Sequence, residues 1–444
     1  MRRTEVGIPF AAIVLAMLPA VLDQTILATG LPVVARDLGA LSDVSWVVTA
    51  YVVAAAATTP LWGKLGDRHG RKRLLRIALA WFVLASAACG LAQDITQLIV
   101  VRAVQGIAAG GLMTLAMASV GDLVPARERS RYQGYIAAAF SAATVVGPLV
   151  GGLLVQHASW RWVFYVNLPL GAAALIGLTA LPAAEASAGH KLDVTGAALL
   201  AGATTAFMLL CLNPGIPLAA LAATLAAAFV AQERRAADPV VPLDMIKTPT
   251  VAIAAIALFL ATAALFSVTV FVPLFLQVAT GATPTEAGLL LVPMMLGTTA
   301  ATILSGRAIA RTGRYKRYPV TGLALMTAAL LGLAATATSQ SRILTDLSLL
   351  AFGAGFGMVT QVLVVAVQNA VERARLGTAT AATGFFRALG GAAGAAALGA
   401  VFAAHDQDVA EGVRIVFLCA APLAGLALLV VLRLQEVRLL SKVA

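Results

Sequence analysis

The sequence predicts an all-α integral membrane protein of 14 spans, built as two six-helix bundles with two additional transmembrane helices between them. Three observations predict it. Of 444 residues, 60% are hydrophobic and 11% charged, and the mean hydropathy is +0.92; a soluble domain carries roughly 25% charged residues and could not clothe its surface with so few. About fourteen apolar runs reach or approach the ~20 residues that cross a hydrocarbon core. A loop pattern from the first half recurs in the second. High apolar content with 18 Pro and three Cys also excludes a disordered chain and a disulfide scaffold.

Six runs make the first half: 8–31, 44–65, 74–93, 98–121, 133–156 and 162–182. The first follows Met1-Arg2-Arg3, yet it is longer than a signal's apolar core, contains Asp23 and lacks a clear cleavage site, so it reads as a retained span. Runs 193–213 and 215–231 connect the halves. With Pro214 and Pro217 at its start, the second of these is at the short limit for spanning; if it stopped short, the pair would form a shallow hairpin. The second half holds 250–276, 286–306, 318–338, 343–367, 378–403 and 413–433. The expected domains are therefore 1–183, 184–247, and 248–444 with its short cytoplasmic tail.

The charges sort along these spans. With the N-terminus inside, 25 Lys and Arg fall on the cytoplasmic side, four (Arg36, Arg161, Arg342, Arg414) outside, and Arg102 and Arg387 within spans. This is the positive-inside pattern. The excess of 31 basic over 20 acidic residues is thus read as topology, with both termini cytoplasmic; a nucleic-acid partner would need a basic face on a soluble domain. Trp46, Trp62, Trp160, Trp162, Tyr132, Tyr135, Tyr165, Tyr315 and Tyr318 fall near span ends, as an interfacial belt requires, with Trp81 the exception. Cys89, Cys211 and Cys419, odd in number and scattered in apolar runs, read as core thiols.

The repeated loop is Gly63-Lys64-Leu65-Gly66-Asp67-Arg68-His69-Gly70-Arg71-Lys72-Arg73 after span two and Gly306-Arg307-Ala308-Ile309-Ala310-Arg311-Thr312-Gly313-Arg314-Tyr315-Lys316 after span ten. Ala310 stands where the first copy has Asp67. Duplicated halves place a transport site at their interface near the midplane.

The loop GKLGDRHGRK resembles the cytoplasmic signature of the major facilitator superfamily. Further segments resemble its fourteen-span drug:proton antiporter branch: Leu22 to Pro32 in span one, Arg102-Ala103-Val104-Gln105-Gly106 in span four, Gly147-Pro148-Leu149-Val150-Gly151-Gly152 in span five and Trp160 to Pro169 entering span six. The resemblance implies the major facilitator fold, proton-coupled drug export, involvement of Arg102 in proton transfer, and a span-five motif that marks exporters. Ala143 departs from that motif, replacing its first central glycine.

Asp23 is the first candidate for chemistry. It is the one acid deep in a span, and an intramembrane carboxylate costs a few kcal/mol, so it is a functional candidate by default; the alternative is a structural hydrogen-bond partner. Counting ~1.5 Å per residue, Asp23 lies roughly 12 Å and Arg102 roughly 6–8 Å below the outer surface, a gap an Arg side chain bridges. The resemblance assigns Arg102 to tuning Asp23, with Gln105 one turn away; the alternative is that Arg102 ties helices together through carbonyls.

In span five, Gly147, Gly151 and Gly152 let a neighbouring helix approach, and Pro148 removes a backbone hydrogen bond and bends the helix. At the cytoplasmic rim, Gly63, Asp67, Arg68, Gly70, Arg71 and Arg127 form the expected gate. Asp67 is expected to pair with Arg68 or Arg127 and to face the positive N-terminal end of the span beginning near Tyr318. With Ala310 in the second copy, only one of two symmetric latches is expected to remain. Candidate cavity residues are Gln24, Gln105, Asn167, Phe271, Gln277, Met294, Gln361, Phe385 and Arg387, each with packing, helix-bonding or snorkelling as its alternative.

No metal-ligand spacing joins His69, His157, His190 and His405, and the glycine-rich loop lacks the GxxxxGK[ST] phosphate cradle. No metal, cofactor or enzymatic activity is expected, and uphill work would draw on the proton gradient. The expected function is a monomeric, proton-coupled exporter of lipophilic small molecules, cations among them, in a bacterial inner membrane, working by alternating access. Its alternatives are export of one endogenous lipid, siderophore or antibiotic, and a small-molecule sensor that transports nothing. A sensor needs an output domain, and only a short tail follows residue 433.

Overall fold

Inside a bilayer the backbone's polar groups have only one another to bond, so apolar runs of this length fold as helices. The computed structural model describes residues 3–38, 44–182, 193–280, 291–339, 342–404 and 409–436. Among them there is no strand. The first half comprises α1 (Arg3–Asp37), α2 (Val44–His69), α3 (Arg71–Gly90), α4 (Ile95–Leu123), α5 (Ala126–His157), the short α6 (Trp162–Tyr165) and α7 (Asn167–Gly177). A hairpin of α8 (Val194–Leu212) and α9 (Ile216–Glu233) follows, then the short α10 (Leu243–Lys247). The second half comprises α11 (Pro249–Thr280), α12 (Val292–Thr312), α13 (Arg317–Ser339), α14 (Arg342–Ala370), α15 (Leu376–Ala403) and α16 (Val409–Leu432).

Thirteen described segments are long and apolar enough to cross a membrane. The expected run 286–306 corresponds to α12, which is not among the thirteen, because Thr298, Thr299, Thr302 and Arg307 dilute its hydropathy. Residues 281–290 before it lie outside the described residues. The weak eighth run is a continuous helix of 18 residues, about 27 Å long at 1.5 Å per residue, close to the ~30 Å core.

Two apolar cores gather residues of α1–α7, and a third gathers α11–α16 together with Leu200 of α8. The α8–α9 hairpin packs on α2 and α15. Its start is capped by Asp193, whose carboxylate accepts from the Gly196 N–H at 2.8 Å and from Gln232 at 3.0 Å. The segment after α9 is tied down by Glu233, which accepts from the Val240 and Val241 amides, and by the Lys64–Asp238 ion pair.

Several local expectations change. Trp62, Trp160 and Tyr315 are buried rather than interfacial: Trp62 donates to the Ile107 carbonyl at 2.7 Å, Trp160 to Asp37 at 2.7 Å, and Tyr315 to the Gln435 carbonyl at 3.2 Å. Their N–H and O–H groups find protein partners, which removes the need for headgroup water. Of the cysteines only Cys89 is buried; Cys419 is exposed. The α5 helix runs unbroken through Pro148. A Cβ on Gly147 would strike the Thr25 side chain of α1, whereas one on Gly152 would meet open space. Gly147 is therefore a point of close helix approach in this motif and Gly152 is not.

The face carrying the repeated loops, here the basic face, is where the halves meet. A Cβ on Gly63 of α2 would lie 2.5 Å from Ala381 Cβ and 2.6 Å from the Gly377 carbonyl of α15. In the second copy, a Cβ on Gly306 of α12 would strike the Ser130 carbonyl of α5. The glycines shared by the two loops thus serve two equivalent crossings, α2 with α15 and α5 with α12.

Candidate functional site

The α4 helix presents Arg102 and Gln105 one turn apart on one face, and Gly106 beside them allows α2 to approach, since its Cβ would strike the Tyr51 carbonyl. The start of α4 is fixed by Asp94, which accepts from the Gln97 N–H at 2.8 Å, while Gln97 accepts from the Gln93 N–H at 3.1 Å. The expected contact between Asp23 and Arg102 is present. Arg102 Nη1 donates to Asp23 Oδ2 at 2.5 Å and to Gln105 Oε1 at 2.6 Å, and Nε donates to the Val47 carbonyl at 3.1 Å.

Asp23 Oδ1 accepts from Gln105 Nε2 at 3.0 Å and Asn167 Nδ2 at 3.1 Å. Both amides also donate to Ser86 Oγ, at 2.7 and 3.2 Å. Both oxygens of Asp23 are thus taken up by side-chain donors of α4 and α7. Asp23, Arg102, Gln105, Asn167 and Ser86 have no solvent exposure.

Sealing an ion pair from water costs several kcal/mol per charge, offset only where further hydrogen bonds satisfy the remaining lone pairs. Here two amides complete the carboxylate, while the guanidinium lies over the Tyr51 ring at 4.2 Å and the Phe164 ring at 5.8 Å. Arg102 Nη2 and Asn167 Oδ1 have no hydrogen-bond partner. Tyr51, Ser86 and Phe164 belong to the site yet escape sequence reasoning, since one hydroxyl or ring in an apolar run is the commonest packing residue. Cys89, expected as a core thiol, also touches the network, donating to Gln105 Oε1 at 3.5 Å. Asn167 gave one usable signal, an amide just before Pro169 where α7 begins.

Other cavity candidates scatter. Gln24 is exposed and bonds to Tyr51. Phe271 and Met294 are both buried in the second-half core, where the Phe271 ring lies tilted against Phe402 at 5.1 Å and Gly353 packs against the Met294 backbone. Phe385 packs beside Phe386 at 5.6 Å and Arg387 is half-buried. Gln361 Oε1 is buried without a partner. The Gln277 side chain lies outside the described residues.

The rim constellation differs from expectation in its partners. Asp67 Oδ1 accepts from Arg71 Nη2 at 2.6 Å and from the Gly377 N–H at 2.8 Å; Oδ2 accepts from the Thr378 N–H at 2.7 Å and Thr378 Oγ1 at 2.8 Å. The helix end it caps is therefore that of α15, not the one beginning near Tyr318. Its cation is Arg71, not Arg68 or Arg127, because Gly70 at φ 88° turns the chain and folds Arg71 back over the end of α2. Arg71 pairs in addition with Asp122 at the end of α4, an acid that sequence reasoning passed over.

Arg127 serves the other crossing, where it donates to the Ala310 carbonyl at 2.6 Å and to that of Arg311. A second contact between the halves therefore exists where the acid is missing. Arg127 binds the negative C-terminal end of α12, where carbonyls lack intrahelical partners.

Residues 13–395 match the Major Facilitator Superfamily. The chain belongs to this superfamily. An uncharacterized MFS-type transporter of Mycobacterium tuberculosis is 38% identical over 407 residues, covering 89% of this chain but only 59% of that protein. The multidrug transporter protein MdtP of Bacillus subtilis is 31% identical, covering 92% of this chain and 78% of its own length. Multidrug resistance protein 3 of the same organism is 32% identical, over 88% of this chain and 78% of its own length.

Solved structures of the superfamily share the fold. The human organic anion transporter MFSD10 superposes with a TM-score of 0.69 at 18% identity, covering 96% of this chain and 99% of its own. The proton:xylose symporter XylE gives 0.73 at 14%, covering 97% and 95%. The chain is a multi-pass, all-helical membrane protein of a transporter superfamily whose relatives include multidrug transporters.

Proposed function

We propose that this facilitator is a proton-coupled antiporter of the fourteen-span drug-export branch, carrying lipophilic small molecules, cations among them, out of a bacterial cytoplasm across the inner membrane. Two six-helix halves, residues 1–183 and 248–444, would rock about a central cavity with residues 184–247 as an added helical pair. Both termini would be cytoplasmic, the protein would act as a monomer, and the proton gradient would be its energy source without a cofactor. On this orientation the basic face is cytoplasmic and the closed α2–α15 and α5–α12 crossings describe an outward-facing state.

One observation carries the reading: a deep carboxylate, wholly sealed, held by one arginine and two amides. Protonating Asp23 removes the charge that holds Arg102, so Arg102 must find its carbonyl and aromatic partners alone. Coupling follows if that rearrangement differs between the two access states. A cationic substrate near Asp23 would compete with the proton for one negative charge. The names of the multidrug relatives support drug export as the substrate class.

The test is flux of a fluorescent lipophilic cation driven by an imposed pH gradient in proteoliposomes. Asp23→Asn should abolish gradient-driven flux in protein that is folded and inserted. Undiminished pH-dependent transport would remove Asp23 from coupling.

A further inference from the structure

Beside the Asp67 contacts, the basic end of α3 and the end of α7 line a groove of about 550 Å³ that includes neither Asp23 nor Asp67. His69, Lys72, Arg73 and Arg76 line its polar side, and Ile77, Ala80 and Leu175 its apolar side. Arg71, one residue before Lys72, is consumed by Asp67 and Asp122. Arg73 and Arg76 differ: both are exposed, and among the described residues neither has an acidic or carbonyl partner. Lys72 donates to the Thr179 carbonyl at 2.9 Å, which ties α3 to the chain after α7 and closes the top of the groove.

The helical spacing then matters. Arg73 and Arg76 share a face with Ile77, and the stripe continues along α3 through Trp81 and Leu84, exposed at 45%, 36% and 70% respectively. Ile176 of α7, 72% exposed, faces outward beside it. Two guanidiniums without a partner among the described residues therefore stand at the head of an apolar track that runs into the membrane. A soluble anion would use only the charges and a neutral lipid only the track. We infer that the groove binds one anionic glycerophospholipid, its phosphodiester against Arg73 and Arg76 and an acyl chain along Ile77, Trp81 and Leu84. Charge complementarity and the amphipathic order of the lining together select this occupant.

Native mass spectrometry of the purified full chain tests this, with phosphatidylglycerol and phosphatidylcholine of matched chains titrated in detergent. Saturable retention of one phosphatidylglycerol in preference to phosphatidylcholine is expected. R73Q and R76Q should each weaken it roughly 5-fold, the loss typical of one basic residue near a membrane surface. Leu175→Trp fills the apolar side while leaving every cation in place, and should weaken it as well. R234Q/R235Q removes the same charge elsewhere on the basic face and should not. Equal retention of both lipids, or full retention by R73Q/R76Q, overturns the site. Loss in R234Q/R235Q equal to that in R73Q/R76Q makes the attraction diffuse and also overturns it. Displacement of the lipid by inorganic phosphate at comparable concentration, with L175W unaffected, reduces it to a plain anion site.

Discussion

Neutralising Asp67 should open the basic face. The carboxylate makes three contacts to the start of α15, at 2.7 to 2.8 Å, besides its pair with Arg71. In Asp67→Asn the carboxamide keeps one acceptor oxygen, while its NH₂ group confronts N–H donors it cannot serve. Two charged-acceptor contacts are then lost. At about 1.5 kcal/mol each, the low end of the range because water reaches the rim, the closed state loses about 3 kcal/mol, or roughly 10²-fold in the closed-to-open ratio. Arg71 keeps Asp122, so the variant should still fold.

Spin labels at exposed His69 and Arg314, in a background without Cys89, Cys211 and Cys419, report the separation of the two halves by double electron–electron resonance. The distance distribution should move to a longer component in the variant. An unchanged distribution in folded, inserted protein would refute the latch and leave Asp67 a local helix cap.

The equivalent crossings should fail sterically in the same way: Gly63→Val places a side chain where Ala381 and the Gly377 carbonyl sit, so the same label pair should report an open basic face without loss of folding. On the opposite face, Asp37 is held below the ordinary aspartate range of about 3.9 by the hydrogen bond from Trp160 and then by Arg161. A carboxylate with a depressed folded value contributes above the unfolded value and loses that contribution as pH falls through the folded one. Fluorescence from Trp160, taken as the difference from W160F, should change only below about pH 3.9, and the change should vanish in D37N. Maleimide labelling of the detergent-solubilised protein should spare Cys89, which lies buried against Gln105, until the protein is unfolded; rapid modification of Cys89 in the folded protein would mean the acid network is open to solvent.

Much of the architecture was legible in sequence because hydrocarbon imposes one demand on every residue of a span. Apolar runs and positive loops follow from that demand, and α9 is a helix even with prolines at its start because Pro217 falls in its first turn. Asp23, Arg102 and Gln105 were legible for the same reason, since polar groups at such depth need partners. Which groups become partners depends on helix rotation and crossing, and one-dimensional spacing does not contain these. Hence Ser86, Tyr51 and Asp122 went unread, and Asp67 was assigned to the wrong helix end.

The sequence by itself determined that the chain lives in a membrane, that it is duplicated, and that its buried charge is confined to a few positions. Only the tertiary structure decided that α15 receives Asp67, that Arg127 grips the carbonyl end of α12 where Ala310 replaces an acid, and that Phe271 and Met294 sit in the second-half core. The physical reason is the range of the forces. Transfer from water to hydrocarbon is set residue by residue and sums along the chain. A hydrogen bond or a glycine contact is decided within a few tenths of an ångström between segments hundreds of residues apart.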